Sequence, residues 1–174
     1  SGAVPGDCLW VTGAIGDAGA GLAIARGADG PPALLDRYRR PQPRLAAGQA
    51  LCGLVHAMMD VSDGLLIDAR RLAEASGAAM EIEFSSIPLS EDFVRFAGLD
   101  REARLRAATA GDDYELLFAA PATNSSQIEA IAIRIGIPMT CIGKVIEGSG
   151  LRLKAGDEDV PLPASLGYEH QGQS

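Results

Sequence analysis

Short apolar runs alternate with stretches of helical periodicity along this chain, and the alternation predicts its secondary structure. The runs of strand length occupy 7–12, 54–59, 80–84, 115–120, 139–145 and 151–154. Segments of helical spacing or of small residues, bounded by Gly and Pro, predict helices that begin near 17, 34, 44, 65, 91, 101 and 125.

Polar residues mark the beginnings of several of these helices. Asp17, Ser90 and Asp100 are predicted N-caps, because their side-chain oxygens can accept bonds from the free N–H groups of a first helical turn. Asn124 and Gln127 have the spacing of a capping box.

Strands that alternate with helices indicate an α/β domain, on the borderline of α+β, in which helices pack on a mixed sheet. The sheet is predicted to be mixed because 139–145 and 151–154 are close enough along the chain to form a hairpin. At 174 residues the sequence is predicted to be a single domain, 1–174. The residues after 154 show no periodic pattern and are predicted to be an irregular tail.

Charge and composition exclude several classes of partner. The formal net charge is −8, and Lys144 and Lys154 are the only lysines among 15 basic residues. This argues against nonspecific binding to nucleic acid, which depends on clustered basic residues. No apolar run reaches the roughly 20 residues that cross a bilayer, and no signal-peptide pattern opens the sequence. We therefore predict neither a nucleic-acid partner nor a membrane partner.

The cysteines and histidines also narrow the possibilities. The three cysteines lie far apart without a C-x-x-C pair, which suits reduced thiols in a cytoplasmic protein better than a disulfide framework. His56 and His170 are the only histidines, too few for a His-based zinc site or for a nucleophile with its base. His56, on the predicted strand 54–59, is interpreted as a core residue with a hydrogen-bonding partner.

The most informative segment is 60–64, Asp-Val-Ser-Asp-Gly, which places two carboxylates and a hydroxyl where a strand is predicted to become a helix. Ligand sites of α/β sheets lie at such strand ends. Asp60 and Asp63 offer the hard oxygen ligands that Mg²⁺ prefers, and with Ser62 they are predicted to face one open cleft. An ordinary helix cap is the alternative, since Ser and Asp are preferred N-caps. Both interpretations stay open on spacing alone.

Other segments carry weaker signals. Residues 111–116, Gly-Asp-Asp-Tyr-Glu-Leu, form either a solvated turn or a second set of ligands at the same sheet end. The glycine-rich stretch 13–21 lacks P-loop spacing and suits either a phosphate at a helix N-terminus or close helix packing. Residues 40–44, Arg-Pro-Gln-Pro-Arg, offer guanidinium groups to an anion or simply stiffen a helix connection. Tyr168 can stack on a flat ring or anchor the tail.

Taken together, these motifs resemble the C-terminal part of the thiamine-monophosphate kinase family, within the aminoimidazole-ribonucleotide-synthetase-like superfamily. The matching segments occur in the family's order and cover nearly the whole chain: 5–7, 12–18, 40–44, 60–65, 111–118 and 167–170.

The resemblance implies an enzyme that transfers the γ-phosphoryl group of ATP to thiamine monophosphate, giving thiamine diphosphate, with Mg²⁺ as cofactor. It implies that Asp60 and Asp63 are magnesium ligands and that Ser62 contacts ATP. Asp112 and Tyr168 correspond to contacts with the thiamine phosphate, although Asp112 stands where the family more often has Glu. No catalytic base is implied, because the phosphate monoester nucleophile, with a second pKa near ~6, is mostly dianionic at neutral pH.

The same family has an N-terminal domain that carries further acidic metal ligands and most of the nucleotide site. The resemblance therefore implies that 1–174 is the C-terminal domain alone, inactive by itself, and that the intact cytoplasmic enzyme is a homodimer. Two alternatives stay open. One is an ATP-dependent enzyme of the superfamily that acts on a different small metabolite, and the other is a non-catalytic ligand-binding domain.

Overall fold

A seven-stranded mixed sheet organises the fold in the computed structural model, which describes residues 2–168. The strands are β1 Asp7–Thr12, β2 Ala57–Val61, β3 Ala79–Glu83, β4 Glu115–Pro121, β5 Met139–Ile146, β6 Gly150–Ala155 and β7 Glu158–Val160. Their order in the sheet is β2-β4-β1-β5-β3-β6-β7. Among these strands only β3 and β6 pair in parallel, and the other neighbours are antiparallel. The predicted mixed α/β sheet is confirmed.

The reason for the mixed pairing differs from the predicted one. β5 and β6 form no hairpin with each other, because β3 lies between them, antiparallel to β5 and parallel to β6. This insertion surrounds Met80 and Ile82 with strands on both sides and buries them completely. The hairpin occurs one strand later, between β6 and β7. β7 thus lies in the segment that was predicted to be irregular.

Helices cover both faces of the sheet. Within residues 2–168 they are α1 Asp17–Ala25, α2 Pro32–Arg39, α3 Leu45–Leu51, α4 Leu65–Ser76, α5 Glu91–Ala97, α6 Arg101–Thr109 and α7 Ser125–Ile135. Short 3-10 turns occupy Phe84–Ser86 and Ala122–Asn124. None of these helices combines the length and the apolar character needed to cross a membrane.

The alternation of side chains along β1 divides the interior into two cores. Leu9 and Val11 point into the larger core, against residues of α1, α4, α5 and α6. Trp10 points to the opposite face, where it stacks on Phe118 with ring centroids 6.3 Å apart and packs with residues of α3 and α7. The domain is therefore layered, with helices on both sides of the sheet.

Two of the predicted caps are confirmed. The hydroxyl of Ser90 accepts the backbone N–H of Phe93 at 3.0 Å, and a carboxylate oxygen of Asp100 accepts that of Ala103 at 2.8 Å. Each satisfies one of the free donors at the start of its helix, α5 and α6 respectively.

The other two cap predictions are wrong. α1 begins after Gly16, whose φ of 93° only glycine adopts without strain, so Asp17 is the first helical residue. Asn124 precedes α7 but makes no capping bond; its amide donates to the carbonyl of Leu54 at 2.8 Å instead. In both cases the side chain bonds to a residue distant along the chain: Asp17 accepts the hydroxyl of Ser90, and Asn124 donates to Leu54.

The position of β2 also differs from the sequence prediction. The strand begins at Ala57, three residues later than predicted, so His56 precedes it. The His56 ring is 42% exposed and its Nδ1 lies 2.9 Å from a carboxylate oxygen of the buried Asp7. His56 therefore has the expected partner but is not a core residue. His170 lies outside the described residues.

Strand directions bring distant loops to one end of the sheet. β4 runs antiparallel to its two neighbours β1 and β2, and its first residue, Glu115, pairs with the last residue of β2, Val61. The end of β1, the end of β2 and the start of β4 are consequently adjacent. The loops that meet there are 13–16, 62–64 and 111–114.

Candidate functional site

A cavity of about 510 Å³ opens where these loops meet. Ser62 and Asp63 line it from the turn between β2 and α4, Asp112 from the turn before β4, and Tyr168 from the C-terminal segment. Its remaining walls are Ala18, Gly19, Leu22, Ala110, Gly111 and Tyr114. Four of the five residues to which the resemblance assigns a ligand therefore share one cavity.

Asp60 is the exception. It lines a neighbouring depression of about 390 Å³ together with Arg44, Leu45 and Leu116. Tyr114 lines both cavities. Asp60 and Asp63 therefore line two adjoining cavities with Tyr114 as a common wall. Asp60 is still part of β2, whereas Asp63 lies in the turn that leads to α4.

The two acidic turns are joined through their backbones. The N–H of Asp112 donates to the carbonyl of Ser62 at 2.8 Å, and the N–H of Tyr114 donates to the carbonyl of Val61 at 2.9 Å. Gly111 permits this approach, because a Cβ at this position would lie 2.7 Å from the Ser62 carbonyl oxygen. The turn before β4 is thus part of the site and is not an independent solvated loop.

Asp68 holds the turn between β2 and α4 through hydrogen bonds to its backbone. Its carboxylate is fully buried, and one oxygen accepts the backbone N–H groups of Ser62 at 3.0 Å, Asp63 at 3.0 Å and Gly64 at 3.3 Å. The other oxygen accepts Nη1 of Arg71 at 2.8 Å. Sequence reasoning missed Asp68, although an acid in the first turn of the helix that follows the motif was a usable signal.

Arg71 connects the buried Asp68 to Asp63 at the cavity wall. Its Nη1 also lies 2.5 Å from a carboxylate oxygen of Asp63, whose side chain is only 16% exposed. The hydrogen bond to Asp63 makes the largest contribution and raises the pKa of Arg71. Burial, the second largest contribution, lowers it, and the bond to Asp68 raises it further. The Asp63 carbonyl accepts the backbone N–H of Tyr168 at 2.8 Å, which holds the C-terminal segment at the cavity. Glu169 and His170 of the resembling motif lie outside the described residues.

The start of α1 is occupied by a carboxyl group of the protein itself. The oxygens of Asp113 accept the backbone N–H of Gly16 at 2.7 Å and that of Ala18 at 3.1 Å. These two donors are therefore not open to a phosphate. Further along α1, Gly21 packs so closely on α2 that an added Cβ would lie 2.7 Å from the Cβ of Tyr38. Close helix packing is the interpretation that the structure supports for this stretch.

Asp113 has an unusual acidity. Burial raises its pKa to about 8, the bonds from Gly16 and Ala18 oppose the shift, and the nearby charges of Asp17 and Glu115 add to it. Burial also raises the pKa of Asp17, against the effect of a hydrogen bond from Ser90. Asp113 therefore holds a proton at neutral pH that an unfolded chain would release.

We expect stability to depend on pH through Asp113. Between its ordinary pKa of 3.8 and the folded value of about 8, the folded protein keeps a proton that the unfolded chain has lost. Unfolding then releases a proton, so the free energy of unfolding falls as the pH rises through this window. Urea unfolding at about pH 5 and about pH 8 measures the difference. Asp113→Asn, which cannot titrate, should flatten the dependence; the same slope in the variant would contradict the assignment.

In the segment 40–44, Arg44 pairs with a carboxylate of the protein itself, that of Glu115. Arg44 binds Glu115 bidentately, with Nε 2.7 Å from one carboxylate oxygen and Nη2 2.6 Å from the other. Thr12 donates its hydroxyl to the same carboxylate at 2.6 Å. Both partners of the ion pair are nearly buried, at 11% and 4% side-chain exposure. This pair ties the connection before α3 to the start of β4 and so supports the Asp60 side of the site.

The carboxylates fit magnesium as a partial set of ligands. Within residues 2–168, no three side chains of His, Cys, Asp or Glu come together closely enough to hold a metal ion by themselves. Magnesium is commonly bound by one or two carboxylates, with substrate phosphates and water completing its shell. Asp63, at the cavity wall, matches that role.

The family membership of the chain follows from comparison with known proteins. Residues 4–156 match the family described as AIR synthase related protein, C-terminal domain. Because this match spans most of the 174 residues, the chain belongs to that family.

Individual proteins that are similar to this chain are named more specifically than the family. Thiamine-monophosphate kinase of Escherichia coli (strain K12) is 38% identical over 178 residues, which cover 98% of this chain and 54% of the relative. The crystal structure of thiamine-monophosphate kinase from Stenotrophomonas maltophilia K279a is similar at TM-score 0.82 and 34% identity, over 89% of this chain and 52% of that one. AaThiL complexed with AMPPCP and TMP is similar at TM-score 0.75 and 32% identity, over 90% and 50%. The chain thus spans about half the length of the relatives that it matches.

Proposed function

We propose that this chain forms the C-terminal part of a thiamine-phosphate kinase, which phosphorylates thiamine monophosphate with ATP to give thiamine diphosphate. One observation carries the proposal. Ser62, Asp63, Asp112 and Tyr168 come from three separate segments and line a single cavity, and these are residues to which the resemblance assigns ATP, metal and substrate contacts. The similarity to thiamine-monophosphate kinases supports the same activity.

The chemistry of thiamine monophosphate suits the cavity walls. Its thiazolium ring carries a positive charge, which favours contact with the carboxylate of Asp112, and its flat rings can stack on the aromatic ring of Tyr168. Tyr168 is 62% exposed and lines the cavity. We assign both residues to substrate binding.

Ser62 and Asp63, which also line the cavity, suit the nucleotide and its metal ion. We assign Ser62 to ATP, since it lines the cavity beside Asp63 and its hydroxyl can donate a hydrogen bond to a phosphate oxygen. Asp63 and Asp60 are assigned as magnesium ligands from the two neighbouring cavities. When bound, Mg²⁺ would neutralise phosphate charge and favour in-line transfer.

The residues of this chain position the reactants and provide no base. The acceptor phosphate is itself the nucleophile and is mostly dianionic at neutral pH, since its second pKa is near ~6. What the reaction needs is alignment of donor and acceptor and relief of their repulsion. Carboxylates that bind metal ions would relieve the repulsion, and the walls of the cavity would align donor and acceptor.

We further propose that the rest of the site lies outside these 174 residues, in an acidic N-terminal domain. The carboxylates at the cavity are too few to bind a metal ion alone, and the relatives are about twice as long. The intact enzyme is proposed to be a homodimer. It is further proposed to be cytoplasmic and without a nucleic-acid or membrane partner, in line with the net charge of −8 and the isolated cysteines of this 174-residue chain.

The 174-residue chain alone is expected to give no detectable thiamine diphosphate from ATP, magnesium and thiamine monophosphate. It supplies one wall of the site, and positioning both reactants accounts for most of the catalysis. The measurement is product formation by chromatography, with the complete gene product as the control. Robust turnover by the short chain would mean that the site is complete within it.

The proposed function itself is tested with the complete gene product. Thiamine monophosphate should be the preferred acceptor in a coupled assay with ATP and magnesium. Preference for another small metabolite would identify a different enzyme of the superfamily. Binding without turnover would identify a non-catalytic ligand-binding protein.

A further inference from the structure

The loop before β4 presents two wall residues, separated by Asp113, in a strained backbone. Asp112 and Tyr114 have φ angles of 68° and 52°, a left-handed conformation that side chains disfavour. Each such residue costs about 1 kcal/mol or more and persists only where surrounding contacts hold it. Asp113, between them, points away from the cavity and toward α1.

The Asp113 side chain caps the start of α1, although it is distant from that helix along the chain. α5 and α6 are capped by the residue directly before them, Ser90 and Asp100. The cap residue of α1 makes no such bond. Asp113 takes its place from 97 residues further along the chain, with one oxygen on the N–H of Gly16 and the other on the N–H of Ala18. A local cap would serve α1 equally well, but only a remote one also anchors the loop.

The loop is consequently held on two sides. Backbone bonds from Asp112 and Tyr114 attach it to Ser62 and to Val61 at the end of β2, and the Asp113 side chain attaches it to the start of α1. The backbone bonds fix where the loop lies, and the side chain opposes its relaxation to ordinary φ angles. We propose that Asp113 is a positioning residue, which keeps Asp112 and Tyr114 turned into the cavity. The consequence for thiamine monophosphate rests on the proposed function.

Removing the carboxyl group should release the loop. In Asp113→Ala, the N–H groups of Gly16 and Ala18 lose their acceptor and the strained residues lose one of their two restraints. Asp100→Ala is a matched control, because it also deletes a carboxylate that accepts a helix-terminal N–H, but at the start of α6, whereas the loop follows the other end of that helix. Asp113→Asn keeps one acceptor oxygen and should restore part of the effect.

Amide hydrogen exchange on the complete gene product tests the restraint without any ligand. Exchange at Asp112 and Tyr114 should accelerate by about tenfold or more in Asp113→Ala, with an intermediate rate in Asp113→Asn. In Asp100→Ala the increase should be confined to the start of α6. Unchanged rates at Asp112 and Tyr114 in Asp113→Ala, or an equal rise in Asp100→Ala, would overturn the positioning role.

Kinetics of the same variants test the consequence. KM for thiamine monophosphate should rise about tenfold or more in Asp113→Ala, while KM for ATP changes much less, since misplacement of binding groups by an ångström is costly. Asp100→Ala should change neither value. Equal changes in the KM of both substrates, or none, would show that Asp113 is structural only. If the parent protein makes no thiamine diphosphate, the proposed function is wrong, and the exchange rates still decide the role of Asp113.

Discussion

Asp63→Asn in the complete gene product is expected to lower kcat/KM for phosphoryl transfer by roughly 10²–10³-fold while the protein stays folded. Asparagine preserves the size of the side chain and can still accept the hydrogen bond from Arg71. It removes the negative charge that a magnesium ligand needs, so the repulsion between the two phosphorylated substrates is less well offset in the transition state. Steady-state kinetics over a range of magnesium concentrations measures the effect.

The controls separate the metal role from a cap or a general charge effect. Asp159→Asn removes a carboxylate that is 80% exposed on β7 and should leave kcat/KM unchanged. Asp60→Asn should also lower kcat/KM severely if Asp60 binds metal from the neighbouring cavity. Normal activity of Asp63→Asn at limiting magnesium would leave the turn with a structural role only, since Asn keeps the acceptor for Arg71.

Asp68→Ala is expected to lower the free energy of unfolding by about 3–5 kcal/mol. The carboxylate is fully buried and accepts three backbone N–H groups and one guanidinium N–H. Alanine leaves these donors without their acceptor and leaves the charge of Arg71 with only one carboxylate partner, Asp63. Urea unfolding with a comparison of m-values gives the measurement.

A surface acid provides the reference for this stability effect. Asp36 pairs with Arg40 on α2 at 3.5 Å, with both side chains largely exposed. Asp36→Ala should change the free energy of unfolding by less than about 0.5–1 kcal/mol, because exposed ion pairs contribute little. If Asp68→Ala costs no more than Asp36→Ala, the bonds to Asp68 do not support the turn in solution.

The sequence by itself determined the local elements of this protein. β1 occupies the predicted residues, and Ser90 and Asp100 cap their helices as predicted, because apolar alternation and capping act between residues close along the chain. The two acidic turns were also recognisable, since each gathers several polar side chains within a few positions. Four of the five residues to which the resemblance assigns ligands do share a cavity.

Only the tertiary structure decided the contacts between distant segments. The insertion of β3 between β5 and β6, and the separation of Asp60 from Asp63, depend on strand order and on the path of the turn. The same holds for Asp113, which bonds to α1 from 97 residues away. Local sequence patterns indicate whether each residue prefers to be buried or exposed to water. They do not indicate its hydrogen-bonding partner, because that partner depends on how whole helices and strands pack. A hydrogen bond forms with whichever group this packing brings within reach.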